Sequence, residues 1–364
     1  MKVLINRSDA IGDSILTSSM ARAIKEKHPE AKVVFLISAR TADIFEKHPF
    51  IDEVKIYNRK ASLLRRLKQI FFYFSEVKPT HYFYVGGGNL PNFIAWLFRV
   101  PFRGGIKSRW HTYLFLNEGI RQKRSMVSMH EMEYNLNLLT PMGIKYSYLD
   151  KEKYAPVILL SDDEKQKHFE SFKNNLEKNK IKNNLKMIFI HPGMTGHTLN
   201  WATKNYGRLV LDFEKKFPEK FLFVISYTPS DEPYLRGIRE ILEKVEYQYL
   251  QERIFFFDGS IHGLRHYMSV LSHASLFIGP STGTTHIASV LGVPVVGLYS
   301  PIKVQSALRW SPLAQNMSKI KIVVPDVICG ENKKCAGVTC PYYECMSKIE
   351  VEDVIARAQT IMDI

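Results

Sequence analysis

Residues 279–286, Gly-Pro-Ser-Thr-Gly-Thr-Thr-His, join a short apolar run to a helical pattern and are small or carry hydroxyl groups. Small residues let the backbone come close to a ligand, and Gly283 can adopt a positive φ. The N–H groups that open the next helix lie at the positive end of its dipole. The side chains that add hydrogen-bond donors are Ser281, Thr282, Thr284, Thr285 and His286. The segment predicts a diphosphate-binding loop, and the alternative is a capped helix start beside a buried histidine.

Asp13 is the second candidate for chemistry. It follows an apolar run over residues 2–6 and stands at the start of a helical pattern over residues 14–27. A carboxylate in this position can act as a general base. Acids in the first turn of a helix also stabilise the helix dipole, and this simpler role is the alternative.

Positive charge is concentrated between residues 58 and 130, where thirteen Lys and Arg outnumber two acids in a chain of net charge +14. Such a region favours an anionic partner, namely a nucleic acid, an anionic membrane surface or a phosphorylated glycan. Two stretches within it, residues 61–74 and 96–110, interleave apolar and basic side chains. They fit either an anionic bilayer surface or surface helices packed on a sheet. The residues we assign to the acceptor or membrane side are Arg65, Arg66, Lys68, Arg99, Arg103, Lys107 and Arg109.

The elements that position these residues alternate between short apolar strands and amphipathic helices, which predicts two α/β domains with parallel sheets. A polar stretch near residues 150–185 suggests the boundary between them. We expect a first domain over residues 1–160, a second over 185–345, and a closing helix over 346–364. Ligands of such sheets bind beyond the carboxyl ends of the strands, and two facing domains would leave a central cleft.

The sequence shows neither of two common targeting signals, a membrane-spanning helix or a signal peptide. No run of about 18 apolar residues indicates a membrane-spanning helix. The amino terminus lacks the apolar core and cleavage site of a signal peptide, and four cysteines in 364 residues do not form a disulfide scaffold. We therefore expect a cytoplasmic protein.

Several segments together resemble one known family. They are Arg7-x-Asp9-Ala10-Ile11-Gly12-Asp13-x-x-Leu16-Thr17, His191-Pro192-Gly193 with Trp201, residues 279–288, Leu298-Tyr299-Ser300-Pro301, and Arg309-Trp310-x-Pro312. In order and spacing the chain resembles the bacterial ADP-heptose:lipopolysaccharide heptosyltransferases, glycosyltransferase family 9. The resemblance implies a GT-B fold of two Rossmann-like doubly wound domains facing a central cleft.

The resemblance also implies an activity. It is the inverting, metal-independent transfer of heptose from ADP-heptose to an inner-core sugar of lipopolysaccharide, at the inner face of the inner membrane. Asp13 corresponds to the family's catalytic carboxylate and would take the proton of the acceptor hydroxyl. The implied donor contacts are Ser8, Gly12, Thr195, Asp231 or Glu232, Ser281, Thr282, Gly283, Thr284 and His286. Many relatives carry Asp where Ser281 stands and Lys where this chain has Leu199 or a neighbour, so another nucleotide sugar remains an alternative donor.

Cys329, Cys335, Cys340 and Cys345 fall within seventeen residues, separated by five, four and four residues. The segment resembles a cysteine-rich patch in part of the family, where some members bind a metal. A structural zinc or iron site is one interpretation, and packed or redox-active thiols are the other, because zinc ligands usually pair at closer spacing. Two further functions remain alternatives: a transferase of the same fold with a protein acceptor, and a basic nucleic-acid-binding protein. The chain lacks a recognisable nucleic-acid module, so we expect no nucleic-acid partner.

Overall fold

The computed structural model describes residues 1–147, 150–194, 196, 198–329 and 334–362. The chain divides into two compact units, residues 1–159 and residues 160–364. In the first unit the strands are β1 (Lys2–Arg7), β2 (Lys32–Ile37), β3 (Glu53–Ile56), β4 (His81–Gly86), β5 (Phe102–Ile106) and β6 (Glu118–Ile120). Its helices are α1 (Ile11–Lys27), α2 (Leu63–Val77), α3 (Leu90–Leu97), α4 (Trp110–Phe115) and α5 (Glu131–Asn137).

The second unit repeats the alternation. Its strands are β7 (Lys186–Ile190), β8 (Phe221–Tyr227), β9 (Ile254–Asp258), β10 (Leu276–Pro280), β11 (Val295–Leu298) and β12 (Ile320–Val323). Its helices are α6 (Asp162–Lys178), α7 (Thr203–Lys216), α8 (Glu232–Leu242), α9 (Gly263–Leu271), α10 (Gly283–Val290), α11 (Ala307–Trp310) and α12 (Val351–Gln359). Helix α6 lies in the stretch where the sequence suggests a boundary, and α12 lies within the expected closing helix.

Both sheets have the same strand order. Within the described residues the first sheet runs β3-β2-β1-β4-β5-β6 and the second β12-β11-β10-β7-β8-β9, with every strand pair parallel. Counted from its own first strand, each sheet has the order 3-2-1-4-5-6 of a dinucleotide-binding fold. The predicted pair of Rossmann-like doubly wound units is confirmed.

The strands consist of nearly unbroken apolar runs because helices cover both faces of each parallel sheet. Strand β8 is buried along six of its seven residues. The core of the second unit joins this strand to Trp201 and to Val354 and Ile355 of α12. The indole N–H of Trp201 donates to the carbonyl of Ile349 at 2.9 Å, which ties the α12 segment to the loop that follows β7. None of the described helices has the length and apolar character needed to cross a membrane.

Candidate active site

The first candidate site lies where the strand order of the first sheet reverses. Strands β1 and β4 are neighbours there, and their helices α1 and α3 depart in opposite directions along the sheet. Ligands of open α/β sheets bind in the crevice outside the carboxyl ends of two such strands. The loop after β1 leads to Asp13, and β4 ends at Gly86, so the loop after it contains Gly87 and Gly88. Helix α1 begins at Ile11, so Asp13 lies in its first turn.

Arg7, the last residue of β1, fixes the Asp13 carboxylate. The Arg7 side chain is 7% exposed and forms an ion pair with Asp13 through Nη2. Its Nε lies 3.0 Å from Oδ1 of Asp9, and its Nη1 donates to the carbonyl of Val85 at 2.7 Å. A buried guanidinium with these three contacts leaves the acid little freedom to move.

Glu131 of α5 extends this charge network. It is buried, lies 3.9 Å from Nη1 of Arg7 and also pairs with Arg124. Burial lowers the pKa of Arg7, but the surrounding carboxylates, that of Asp13 first, raise it above its ordinary value and keep the side chain charged. Burial raises the pKa of Asp9, against the opposing effect of the Arg7 charge. Sequence reasoning placed Arg7 in a motif but missed both its burial and its link to Glu131.

The glycine loop after β4 closes onto the loop after β1. Gly87 has φ +86°, and a Cβ there would lie 2.4 Å from Oγ of Ser8 and 2.8 Å from its backbone nitrogen. The N–H of Gly88 donates to Oγ of Ser8 at 3.4 Å, and its carbonyl accepts from the amide of Asn6 at 3.1 Å. Only glycine allows this contact, because a side chain at Gly87 would push the Ser8 loop away.

Basic side chains surround the same crevice. Burial raises the pKa of Tyr57, and the charge of Arg66 opposes that shift. The Tyr57 ring lies against Gly88. Burial raises the pKa of Tyr84, and the charge of Arg109 opposes that shift most among the neighbouring cations. The charge of Arg59 also acts on Tyr84. This end of the sheet is therefore cationic, although Asp9 and Asp13 stand within it.

The other predicted basic residues lie on different parts of the first unit. Arg65 and Lys68 are exposed on α2, and Arg99 is exposed after α3. Arg103 is half-buried and donates to the carbonyls of Phe115 at 2.8 Å and Val100 at 2.5 Å, so its side chain also braces the backbone. Lys107, after β5, is half-buried.

The second candidate site lies at the reversal point of the second sheet, between β7 and β10. The N–H of His191 donates to the carbonyl of Ile278 at 2.9 Å, which joins the two strand ends. Nδ1 of His191 is 3.0 Å from the carbonyl oxygen of Ser226, and burial lowers the pKa of this histidine. Contacts to β8 and β10 therefore hold His191 at the start of this loop.

Residues 281–286 form the rim of this site. Ser281 is buried beside Tyr299, and Thr282 precedes the first turn of α10. The hydroxyls of Thr282 and Thr284 lie 2.8 Å apart, while Thr285 donates to the carbonyl of Pro280 at 2.5 Å. The structure thus brings Ser281, Thr282, Gly283, Thr284 and His286 together at one helix start. The Thr285 hydroxyl donates its hydrogen bond to the protein backbone and not toward a ligand, which the sequence alone does not reveal.

Asp231 and Glu232, the two alternative ribose contacts, have different environments in the structure. Asp231 is buried, accepts from the N–H and hydroxyl of Thr228 at 2.9 and 2.7 Å, and abuts Gly193 of the loop after β7. Glu232 is exposed and pairs with Arg239. Ser8 and Gly12 lie in the first unit, and the other predicted donor contacts in the second. Thr195 lies outside the described residues.

All four cysteines line one cavity of about 370 Å³ in the second unit. Among the described residues they form no disulfide. The N–H of Gly337 donates to Sγ of Cys335 at 3.3 Å, and that of Tyr342 to Sγ of Cys340 at 3.4 Å. Within the part of the chain that the structure describes, no three His, Cys, Asp or Glu side chains are arranged to hold a metal ion. Zinc or iron at these thiols stays a prediction.

Comparisons with known proteins agree with this geometry. The family model of glycosyltransferase family 9 (heptosyltransferase) matches residues 91–335. A Haemophilus influenzae protein described as a glycosyltransferase is 26% identical over 319 residues, with 86% of each chain covered. Lipopolysaccharide heptosyltransferase 3 of Escherichia coli is 22% identical, with 84% of this chain and 83% of that protein covered. The solved structure of the E. coli ADP-heptose lps heptosyltransferase II has a TM-score of 0.77 at 18% identity, with 99% and 98% covered.

Two parallel sheets of this order, each with loops at its reversal point, make this a GT-B glycosyltransferase fold. The chain belongs to glycosyltransferase family 9 and is a heptosyltransferase-type glycosyltransferase.

Proposed function

We propose that this enzyme transfers heptose from ADP-heptose to an inner-core sugar of lipopolysaccharide, with inversion and with Asp13 as the general base. The observation that carries the proposal is the Asp13 carboxylate at the β1/β4 reversal point, held by the buried Arg7. An ion pair by itself is consistent with a purely structural carboxylate. The Asp13 carboxylate differs because its side chain is 20% exposed and lies at the point of the sheet where ligands bind.

The proposed reaction is a single displacement. The acceptor hydroxyl oxygen attacks the anomeric carbon of the donor, and its proton passes to Asp13. The bond between the anomeric carbon and the β-phosphate oxygen breaks, and ADP leaves with the bonding electrons. One Asp13 oxygen, Oδ1, is engaged by Arg7, so Oδ2 takes the proton. We assign Arg7 a positioning role because its guanidinium pairs with the Asp13 carboxylate.

The leaving ADP gains negative charge, and we assign its stabilisation to residues 281–286. The first N–H groups of α10 are preorganised donors, and because the hydroxyls of Thr282 and Thr284 bond to each other, one of the two can donate outward. Such donors can stabilise a diphosphate without a divalent cation, so we propose metal-independent transfer. Ser8 and Gly12 in the first unit, and Glu232 with Thr195 in the second, remain predicted donor contacts.

The acceptor side is assigned to the first unit. A phosphorylated sugar would meet the cationic crevice formed by Arg59, Arg66 and Arg109. Because the proposed acceptor is anchored by lipid, we propose that the enzyme works at the cytoplasmic face of the inner membrane as a peripheral protein.

The names of the relatives support this proposal. One relative is called a lipopolysaccharide heptosyltransferase, and one solved neighbour is called an ADP-heptose lps heptosyltransferase. The Ser281 and Leu199 positions keep another nucleotide sugar open as the donor, so the donor is tested first.

The test is a thermal-shift panel with ADP, UDP, GDP, CMP and ADP-heptose. A ligand at about 100 times its Kd stabilises the folded state by roughly 2.7 kcal/mol, which is readily measured. We expect stabilisation by ADP and ADP-heptose alone. Selective stabilisation by UDP or GDP would replace the donor assignment, and no shift with any nucleotide would contradict the proposed function.

A further inference from the structure

Helices α2, α3 and α4 of the first unit expose a large set of apolar side chains. They are Leu63, Leu64, Phe71, Phe72, Phe93, Trp96, Leu97, Trp110, Tyr113 and Leu114, each more than a third exposed. We call this set the aromatic face. Single exposed apolar residues are normal on protein surfaces, but a contiguous group indicates a binding surface.

The aromatic face is continuous across the three helices. The ring of Phe71 on α2 lies 4.9 Å from that of Phe98, which directly follows α3. On the other side of α3, the rings of Phe93 and Trp96 lie 5.6 and 5.8 Å from that of Phe115, the last residue of α4. These ring contacts join the three helices, while Phe72 and Trp110 remain largely exposed.

The charge around the aromatic face has one sign. Residues 63–115 contain eight Lys and Arg and one acid, Glu76. Glu76 pairs at 2.8 Å with Lys55, a lysine that Glu53 also contacts. Arg65, Lys68 and Arg99 are exposed on or beside the same helices.

The combination of exposed apolar side chains and positive charge favours one kind of partner for the aromatic face. A nucleic acid would use the cations but would leave most of the leucine and phenylalanine surface in water. A neutral protein partner would use the apolar surface but would leave the cations unpaired. An anionic bilayer satisfies both, because Trp and Tyr favour the headgroup region, apolar side chains enter the acyl boundary, and cations meet lipid phosphates.

We propose that the aromatic face is the surface through which this enzyme docks on an anionic phospholipid bilayer. The proposal deepens the membrane association put forward above and rests on it only for its biological setting. Vesicle binding needs neither donor nor acceptor, so its failure would not affect the donor test, and failure of the donor test would not affect the binding.

The test measures co-sedimentation of the full chain with phosphatidylcholine vesicles, with and without phosphatidylglycerol, at low and high salt. Phe72→Ser and Trp110→Ser remove side chains that are 62% and 73% exposed, so the fold should tolerate both changes. The matched control is Tyr249→Ser in the second unit, at a side chain that is 61% exposed. Arg65→Glu on α2 and Lys178→Glu at the end of α6 form the matched charge pair.

We expect binding to the vesicles that contain phosphatidylglycerol, weakened by salt. Each aromatic substitution should reduce partitioning by about tenfold, as expected for one side chain withdrawn from an apolar phase. Arg65→Glu should also weaken binding, while Tyr249→Ser and Lys178→Glu should match the wild type.

Three results would overturn the proposal. The first is no binding to either kind of vesicle. The second is an equal loss of binding in Phe72→Ser and Tyr249→Ser. The third is a vesicle-free dimer, seen by sedimentation, that Phe72→Ser dissociates, since the aromatic face would then be covered by a second copy of the chain.

Discussion

Arg7 and Asp13 form an ion pair across the turn between β1 and α1, and the guanidinium is buried while the carboxylate is partly exposed. The same guanidinium contacts Asp9 and lies 3.9 Å from the buried Glu131. One cation thus lies within 3.9 Å of three carboxylates at the carboxyl end of the first strand, and Arg124 pairs with the third of them, Glu131.

Arg7→Ala should destabilise the first unit strongly. Removing one partner of a buried ion pair leaves uncompensated charge and costs about 3–5 kcal/mol. Urea unfolding measures the change in the free energy of unfolding. The control is Arg22→Ala, which breaks an exposed 3.3 Å pair with Glu26 and should cost less than about 1 kcal/mol. Equal, small losses in both variants would mean that the Arg7 network does not hold this site together.

Gly87→Ala should reduce both stability and transfer activity. The positive φ alone costs roughly 1–2 kcal/mol for a residue with a Cβ. The clash with Ser8 should add to this and displace the loop that precedes Asp13. Gly292→Ala is the matched control, because Gly292 has φ +80° and a Cβ added there would meet no atom of the described residues within 4 Å. Equal activity of the two variants would contradict a role for the contact between the two loops.

Stability should fall in mild acid, partly through His48. Its ring is 6% exposed, and Nδ1 accepts from the N–H of Phe50 at 3.2 Å, a bond that a proton on Nδ1 would remove. Burial lowers the pKa of His48 to about 4, whereas an unfolded histidine titrates near 6.5. Between these values the unfolded chain binds a proton that the folded protein does not, so stability decreases as the pH falls from about 6.5 to 4.

His48→Gln should remove this part of the pH dependence. The loss between pH 6.5 and pH 5 from His48 is about 2 kcal/mol at most, from 1.36 kcal/mol per pKa unit. Urea unfolding of both proteins at several pH values gives the difference. Burial also lowers the pKa of His266 to about 4, so His266 likewise reduces stability as the pH falls. Because His266 is present in both the wild type and the variant, the difference between their pH profiles reports on His48. An unchanged pH slope in the variant would refute the assignment.

The four cysteines should differ in reactivity toward a thiol reagent. Cys335 is exposed and should react first. Cys345 is buried, and burial together with the neighbouring thiols raises its pKa, so it should react last. The Cys345→Ser variant should lose only the slow phase, and a Cys345 that reacts as fast as Cys335 would contradict the order. A bound zinc or iron ion would instead protect all four thiols until a chelator is added, and elemental analysis would detect it.

The fold could be predicted from the sequence because the strands and helices have strong local patterns of apolar and polar residues. The apolar runs at β1, β7 and β10 and the glycine-rich turn before α10 identify Rossmann-like units without any tertiary information. Element ends were less well predicted. The first helix begins at Ile11 and not at residue 14, because Ala10 in extended backbone already serves as its N-cap.

The partners of the site residues could not be read from the sequence. Arg7 reaches Val85 and Glu131, which are 78 and 124 positions away, and only the folded sheet brings them together. The contact between Ser8 and Gly87 has the same origin. The aromatic face needed the structure as well, since helical spacing indicates an apolar side but not whether the sheet already covers it.

The most direct measurement of the central claim is the rate of heptose transfer from ADP-heptose by wild type, Asp13→Asn and Asp9→Asn. Each substitution removes one carboxylate charge that contacts Arg7, so both variants weaken the same ion-pair network. Thermal shift with ADP checks that each variant still binds nucleotide. If Asp13 is the base, its substitution lowers kcat by about 10²–10⁴-fold, while Asp9→Asn keeps most of the activity. Equal rates in the two variants, or full activity in Asp13→Asn, would contradict the proposed mechanism.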